Sequence, residues 1–219
     1  MNRKHLLFLA ALALATSAVA QDKVPLKVEL PRPLFAGTPR PIQLPNLEQL
    51  STAPRKDLMV PAGTVLLSKG KPVTSSDSLP VIGELEFITD GDKSGTDGTY
   101  VELGPSLQWV QIDLGTTSTV AAVVAWHFHS QARVYHDVIV QVSDDKDFKK
   151  GVTTLYNNDD DNSAKVGKGG DKAYIETFQG RLIEGKNAKG RFVRLYSNGN
   201  TSDELNHYCE VEVFGTPAK

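Results

Sequence analysis

The chain has a single cysteine, Cys209, in 219 residues. A lone thiol closes no internal disulfide, so a small fold stapled by cross-links is excluded and stability must come from a packed core. Cys209 falls in an apolar alternation and no neighbour would lower its pKa, which predicts a buried small hydrophobe and not a nucleophile. Basic charge is also scarce. There are 24 Lys and Arg against 26 Asp and Glu, a formal net charge of −2, and the basic residues form no block. That excludes an electrostatic pull toward nucleic acid or anionic lipid. The apolar run from Leu6 to Ala15 is far shorter than the ~20 residues a bilayer span needs, so no membrane insertion is expected. G-x-S-x-G, H-E-x-x-H and C-x-x-C are all missing. Gly180-x-x-x-x-Gly185-Lys186 approaches a phosphate-binding loop, but Asn187 stands where Ser or Thr must hold the metal.

What is present begins with an export pattern. Arg3 and Lys4 precede the apolar run, and Ala18-Val19-Ala20 closes it. Residues 1–20 read as a secretory signal peptide, which places the mature chain, from Gln21, in the periplasm or outside the cell. Residues 21–63 hold Pro25, Pro31, Pro33, Pro39, Pro41, Pro45, Pro54 and Pro61, eight of the 12 prolines. Proline removes a backbone donor and fixes φ, so this stretch is an extended arm and not a helix or central strand. Its apolar residues, among them Leu26, Val28, Leu44 and Leu47, leave two readings: a solvated linker, or a strap lying on the domain or on a partner.

From Thr64 the pattern changes to short period-two segments bounded by Gly, Asp and Asn. Gln108–Gly115 puts Val110, Ile112 and Leu114 on one face. Thr119–Phe128 is nearly all apolar, as for a central strand. Asp137–Ser143, Gly190–Ser197 and Tyr208–Gly215 alternate cleanly. Helical signals are weak; Leu47–Leu50 and Asp144–Lys150 could each hold one turn. Repeated strands without intervening helices predict an all-β antiparallel sandwich over 64–215, with 216–219 as a tail.

Within that body, motifs follow one another in a set order: Ser68–Ser76 (SKGKPVTSS), Ile88–Asp92 (ITDGD), Gln108–Gly115 (QWVQIDLG), Val140–Asp145 (VQVSDD), Arg191–Leu195 (RFVRL) and Glu210–Gly215 (EVEVFG). Together they resemble the discoidin family, the coagulation factor V/VIII C-type domain of the galactose-binding-like superfamily. The resemblance runs from Leu67 to Gly215. It implies a jelly-roll sandwich, a non-catalytic binding role and a carbohydrate ligand; the family's end-to-end disulfide is missing here.

The Asp90-Gly91-Asp92 loop, rich in glycine and acid as far as Asp97, offers the oxygens a hard cation wants. It also starts like an EF-hand, but Val101 stands where that motif needs Glu. The resemblance implies structural Ca2+ held by the side chains of Asp90 and Glu210, with carbonyls from Phe87, Asp92, Thr96 and Cys209. The loop is one residue long for the pattern, so Gly95 and Thr96 compete for one position. A second acidic loop, Asn157–Asn162, is either a solvated turn or a second Ca2+ site.

His127 and His129 are two apart and so share a strand face. With Arg133, Tyr135, Asn198, Asn200 and His207 they supply planar polar groups and aromatic faces suited to sugar hydroxyls and ring C–H. These seven are the candidate ligand-binding residues, for an extracellular glycan or polysaccharide. Two alternatives remain: a module docking a protein partner through the Pro-rich arm, and a metal-dependent enzyme built on the histidines.

Overall fold

The computed structural model describes residues 22–34, 41–49, 53 and 55–218. The expected signal peptide lies outside them. In chain order the strands are β1 (Lys23–Pro25), β2 (Met59–Pro61), β3 (Val65–Leu66), β4 (Val73–Ser75), β5 (Val101–Leu103), β6 (Gln108–Trp126), β7 (Ile139–Ser143), β8 (Thr153–Asn157), β9 (Arg181–Ser197), β10 (Asn206–Tyr208) and β11 (Glu210–Pro217). One 3-10 turn, Leu85–Thr89, lies between β4 and β5. All strand pairings are antiparallel, and the described residues contain no α-helix.

The sequence suggests two strands at 108–115 and 119–128; the structure has one, β6. Its first part pairs with β4 (Val73 opposite Ile112) and with the end of β9 (Gln108 opposite Ser197). Its second part pairs with β11 and with the start of β9. β6 and β9 therefore cross together from one sheet of the sandwich to the other. The corner falls between Asp113 and Ser118, where the register shifts and Gly115 takes φ +86. Corners of this kind are made by bulged strands, so no chain reversal is needed. β9 likewise starts well before the expected Gly190, and β11 runs past Gly215 to Pro217.

A second register shift, between Val120 and Ala122, re-aims β6. Before it, Val110, Ile112, Leu114 and Val120 face the main core; after it, Val123 and Ala125 do. A one-residue slip swaps faces because the strand period is two. Gly185 packs against this bulge, where a Cβ would come within 2.3 Å of the Val120 carbonyl oxygen. Ala122, Val124 and Trp126 then point outward, joined by Cys209 and Phe214. Burial pushes the Cys209 thiol far up, which leaves it inert at neutral pH.

The arm covers this outer cluster. Leu26, Val28 and Leu58 pack on it. β1 pairs with β2, and the Leu26 amide donates to the Leu58 carbonyl at 2.8 Å. Further along, the Glu48 amide donates to the Ala173 carbonyl at 2.8 Å, and the Ala173 amide to Asn46 at 3.0 Å. Leu47 is thus in a parallel bridge with Ala173 and not in a helical turn. The arm thus lies against the sandwich at Leu26–Val28, at Asn46–Glu48, and at Arg55 and Leu58.

Candidate functional site

The β6–β7 connection carries four of the seven predicted recognition residues, His127, His129, Arg133 and Tyr135, and all four are buried. His127 is fully buried; its Nδ1–H donates to Glu176 Oε1 at 2.6 Å and its ring stacks on Tyr135 at 4.4 Å. His207 accepts at Nδ1 from the Tyr135 hydroxyl and donates from Nε2 to Glu102, both at 2.9 Å. Burial, with Arg133 adding, pushes the His207 imidazole down to about 4, so it is neutral at pH 7. His129 donates from Nε2 to the Lys93 carbonyl at 2.9 Å. β6 ends at Trp126, so His127 and His129 lie past the strand; one ring turns to Glu176, the other to the Asp90–Asp97 loop, and among the described residues no metal-sized group of ligand atoms includes either.

Arg133 is nearly buried. Its guanidinium sits 4.7 Å from the Phe128 ring centroid and donates to Asp203 Oδ2 at 3.0 Å.

The Asp90 loop closes on Glu210. The Gly91 amide, at φ +94, donates to Glu210 Oε2 at 2.9 Å. Glu210 Oε1 is buried with no partner, and burial, with Glu212 and Asp90 adding, pushes this carboxyl up to about 8. A buried, orphaned carboxylate oxygen beside an acidic loop fits a cation. Asp90 Oδ1 also accepts from the Asp92 amide at 2.7 Å. The Gly95 carbonyl accepts from Ser130 Oγ at 2.5 Å. Thr96 turns to Thr99, whose hydroxyl accepts from the Thr96 amide at 3.1 Å and donates to its carbonyl at 2.9 Å. Thr99, which the motif reading overlooked, thus ties the loop at Thr96. Cys209, the other expected carbonyl donor, donates its own amide to the Trp126 carbonyl at 2.8 Å; Phe87 lies in the 3-10 turn before the loop.

A cavity of about 310 Å3 opens where β9 ends and β6 begins, lined by Ser106, His136, Asn198, Asn200, Asp203 and Glu204. It takes Asn198 and Asn200 from the predicted set and leaves out His127, His129, Arg133, Tyr135 and His207. Its polar groups are fixed by internal hydrogen bonds. Asn198 Nδ2 donates to Asp137 Oδ2 at 2.7 Å, Asn200 Nδ2 to Asp203 Oδ1 at 2.6 Å, and the Gly199 amide to Asn206 Oδ1 at 2.9 Å. Arg133 reaches this wall only through Asp203.

Asp137, at φ +51, also joins Asp159 and Asp161, and ligand oxygens of the three lie within 4.8 Å of one another. Such a group could hold a metal ion. Burial raises the Asp159 carboxyl, with Asp137 adding, while the Ser163 hydroxyl and amide hold Asp161 down. The acidic loop was visible in the sequence, but Asp137 was not part of it. Asp137 stands before β7 and the two others follow β8, so only the β7–β8 pairing brings them together.

No protein-family model and no curated protein matches the chain. Solved structures do. A family 89 glycoside hydrolase from Clostridium perfringens is 19% identical with a TM-score of 0.51, over 70% of this chain and 15% of that one. The CBM32 module of AlyQ, in complex with 4,5-unsaturated mannuronic acid, is 21% identical with a TM-score of 0.49, over 65% and 93%. A fucose-binding module from Streptococcus pneumoniae is 16% identical with a TM-score of 0.42, over 68% and 96%. The chain thus spans a small part of the hydrolase, and what is shared at these identities is the fold. This protein shares with the matched part of that hydrolase an antiparallel β-sandwich fold.

Proposed function

We propose that this protein is an exported, non-catalytic module that binds carbohydrate in the cavity at Asn198 and Asn200, with Ca2+ stabilising the sandwich at Asp90 and Glu210. The observation that carries the reading is that cavity: two side-chain amides, an imidazole and two carboxylates in a concave wall, with the amides already held by internal bonds. Sugar hydroxyls donate and accept at once, so they need a mixed lining, and pre-fixed groups lose little entropy on binding. The fold shared with carbohydrate-binding modules supports the same conclusion. An enzyme built on the histidines is disfavoured, since His127 Nδ1 and both His207 nitrogens are spent on internal partners.

Ca2+ at the Asp90 loop would supply charge to the buried Glu210 carboxylate and tie the loop to β11. Besides these two side chains, carbonyls of Phe87, Asp92, Thr96 and Cys209 are the donors proposed from the family resemblance. A protein-docking role is a second reading, favoured by Leu79, Val81 and Ile82, which are 82%, 58% and 40% exposed in one loop.

The test is thermal unfolding with EDTA, with Ca2+, and with Ca2+ plus a panel of neutral and acidic glycans. A ligand of the folded state raises Tm by mass action. The expected result is a Ca2+ shift abolished by Asp90→Ala, and a further shift with one glycan class abolished by Asn198→Ala. A Ca2+ shift with no glycan response would overturn the carbohydrate reading in favour of a protein partner.

A further inference from the structure

The cavity at Asn198 has a charge and a hydrogen-bonding character that narrow what it can take. Its volume of about 310 Å3 is near the small end of the ~300–1,000 Å3 typical of small-molecule sites, so one saccharide ring fits at a time. What that ring meets depends on which polar groups of the wall are already spent.

Most donors are spent. Asn200 commits both amide hydrogens, to Asp203 Oδ1 at 2.6 Å and to the Leu205 carbonyl at 2.9 Å. Asn198 Nδ2 donates to Asp137 Oδ2 at 2.7 Å, and the Gly199 amide to Asn206 Oδ1 at 2.9 Å. The acceptors are free. Among the described residues neither Asn198 Oδ1 nor the Glu204 carboxylate takes a hydrogen bond. The Ser106 hydroxyl and the His136 imidazole, which can play either part, complete the wall. A ligand rich in donors suits it best.

Charge points the same way. No Lys or Arg lines the cavity, and Arg133 reaches only Asp203, whose Oδ2 it holds at 3.0 Å. Glu204 has no ion pair among the described residues. Neither has Asp137, which stands behind Asn198 in a group with Asp159 and Asp161. Once Arg133 has answered Asp203, the wall and its surround keep a surplus of negative charge. A uronate or a sulfated sugar would face like charge there with no cation to meet it, whereas an ammonium group gains a charge-assisted hydrogen bond.

We propose that this cavity recognises an amino sugar, a hexose unit whose ammonium group pairs with Glu204 and whose hydroxyls donate to Asn198 Oδ1, with Asp137 adding to the field. The amino-sugar class rests on the carbohydrate reading of this cavity, which it narrows.

The experiment is calorimetric titration of the mature chain with glucosamine oligomers, with N-acetylated oligomers of the same length, and with a uronate oligomer. The expected order is amino over N-acetylated, with no uronate binding. Glu204→Gln should weaken the amino oligomer about three- to fivefold, the worth of one exposed ion pair, and leave the N-acetylated one unchanged. Glu184→Gln, which removes an exposed carboxylate near the start of β9, should change neither. The preference should shrink between ~0.01 M and ~0.15 M salt, as the Debye length falls from about 30 to about 8 Å. Asn198→Ala should abolish binding of both oligomers; amino-oligomer binding that survives it is unspecific attraction to an acidic protein and overturns the proposal. Asn198-dependent binding of N-acetylated or uronate oligomers as tight as that of the amino form, or a preference untouched by Glu204→Gln, overturns the amino-sugar class and leaves the carbohydrate site standing. No binding of any oligomer overturns both.

Discussion

His127 Nδ1 lies 2.6 Å from Glu176 Oε1, and both side chains are at most 1% exposed. The Glu176 amide is itself fixed by the Arg133 carbonyl at 2.8 Å, so the carboxylate locks the segment before β9 onto the end of β6. Removing one member strands the other in the core. Glu176→Ala leaves a buried imidazole N–H without its acceptor and opens a cavity, and should destabilise the protein by about 2–4 kcal/mol. Glu176→Gln keeps an acceptor oxygen for Nδ1–H and should lose no more than ~1–2 kcal/mol. Urea denaturation of the three proteins measures this; equal losses for Ala and Gln would mean that shape, not the hydrogen bond, holds the pair.

The Glu210 carboxyl predicts how Ca2+ and pH trade places. Its folded pKa is about 8, raised from an ordinary 4.5 by burial first. A raised acid contributes full stability below its unfolded pKa and loses it as pH rises through the folded one. The Ca2+-free protein should thus lose stability between about pH 4.5 and 8. Ca2+ takes the proton's place, so its affinity should rise over the same window, with proton release on binding. Tm against pH, with EDTA and with Ca2+, and calorimetry in two buffers of different ionisation enthalpy would check it. An EDTA curve flat across the window, together with pH-independent Ca2+ binding, would sink the idea.

Strand faces were legible in the sequence wherever alternation was strict: Val110, Ile112 and Leu114, or Val211 and Val213, could only face a core. The single β6 was not, because nothing in Gly115-Thr116-Thr117 distinguishes a bend from a turn until the β9 partner is known. The site was less legible. Asn198 and Asn200 stood out as a polar loop, and they line the cavity. The histidines stood out by residue type alone. Their burial depends on Glu176, Glu102 and the Lys93 carbonyl, which come from three separate segments that no spacing rule connects. Asp137 was missed for the same reason, since its link to Asp159 is made by strand pairing. Tyr174, Glu176 and Arg181, which tie the arm and the end of β6 together, sit in a stretch with no clean periodicity.

Gly180 tests how tightly that stretch is held. It takes φ +64, and a Cβ there would lie 2.6 Å from the Trp126 indole, whose Nε1–H donates to the Phe178 carbonyl at 2.9 Å. Gly180→Ala therefore combines a left-handed backbone with a clash in the cluster beneath the arm. It should cost about 1–3 kcal/mol from overpacking alone. Trp126 fluorescence should shift to the red as the indole is displaced toward water. An unshifted spectrum with unchanged Tm would mean that the Phe178–Gly180 turn moves freely.

Arg133 separates stability from recognition. Its fork donates to Asp203 Oδ2, while Asp203 Oδ1 accepts from Asn200 Nδ2 and, at 3.0 Å, from the Leu205 amide. Arg133 is thus one step behind the cavity, holding the carboxylate that holds Asn200. Arg133→Lys keeps the charge but loses the planar fork and its stacking on Phe128, so Asp203 would be held less firmly. The pair is partly exposed on the Asp203 side, which limits its worth to about 1 kcal/mol or less. The expected outcome is a Tm nearly unchanged and a glycan affinity about tenfold lower, equivalent to ~1.4 kcal/mol. Asp203→Asn should reproduce the affinity loss. Calorimetric titration with whichever glycan raises the Tm of the parent protein decides it. Parent-like affinity in both variants would show that Asn200 is positioned without them, and that the predicted recognition role of Arg133 has no route to the ligand.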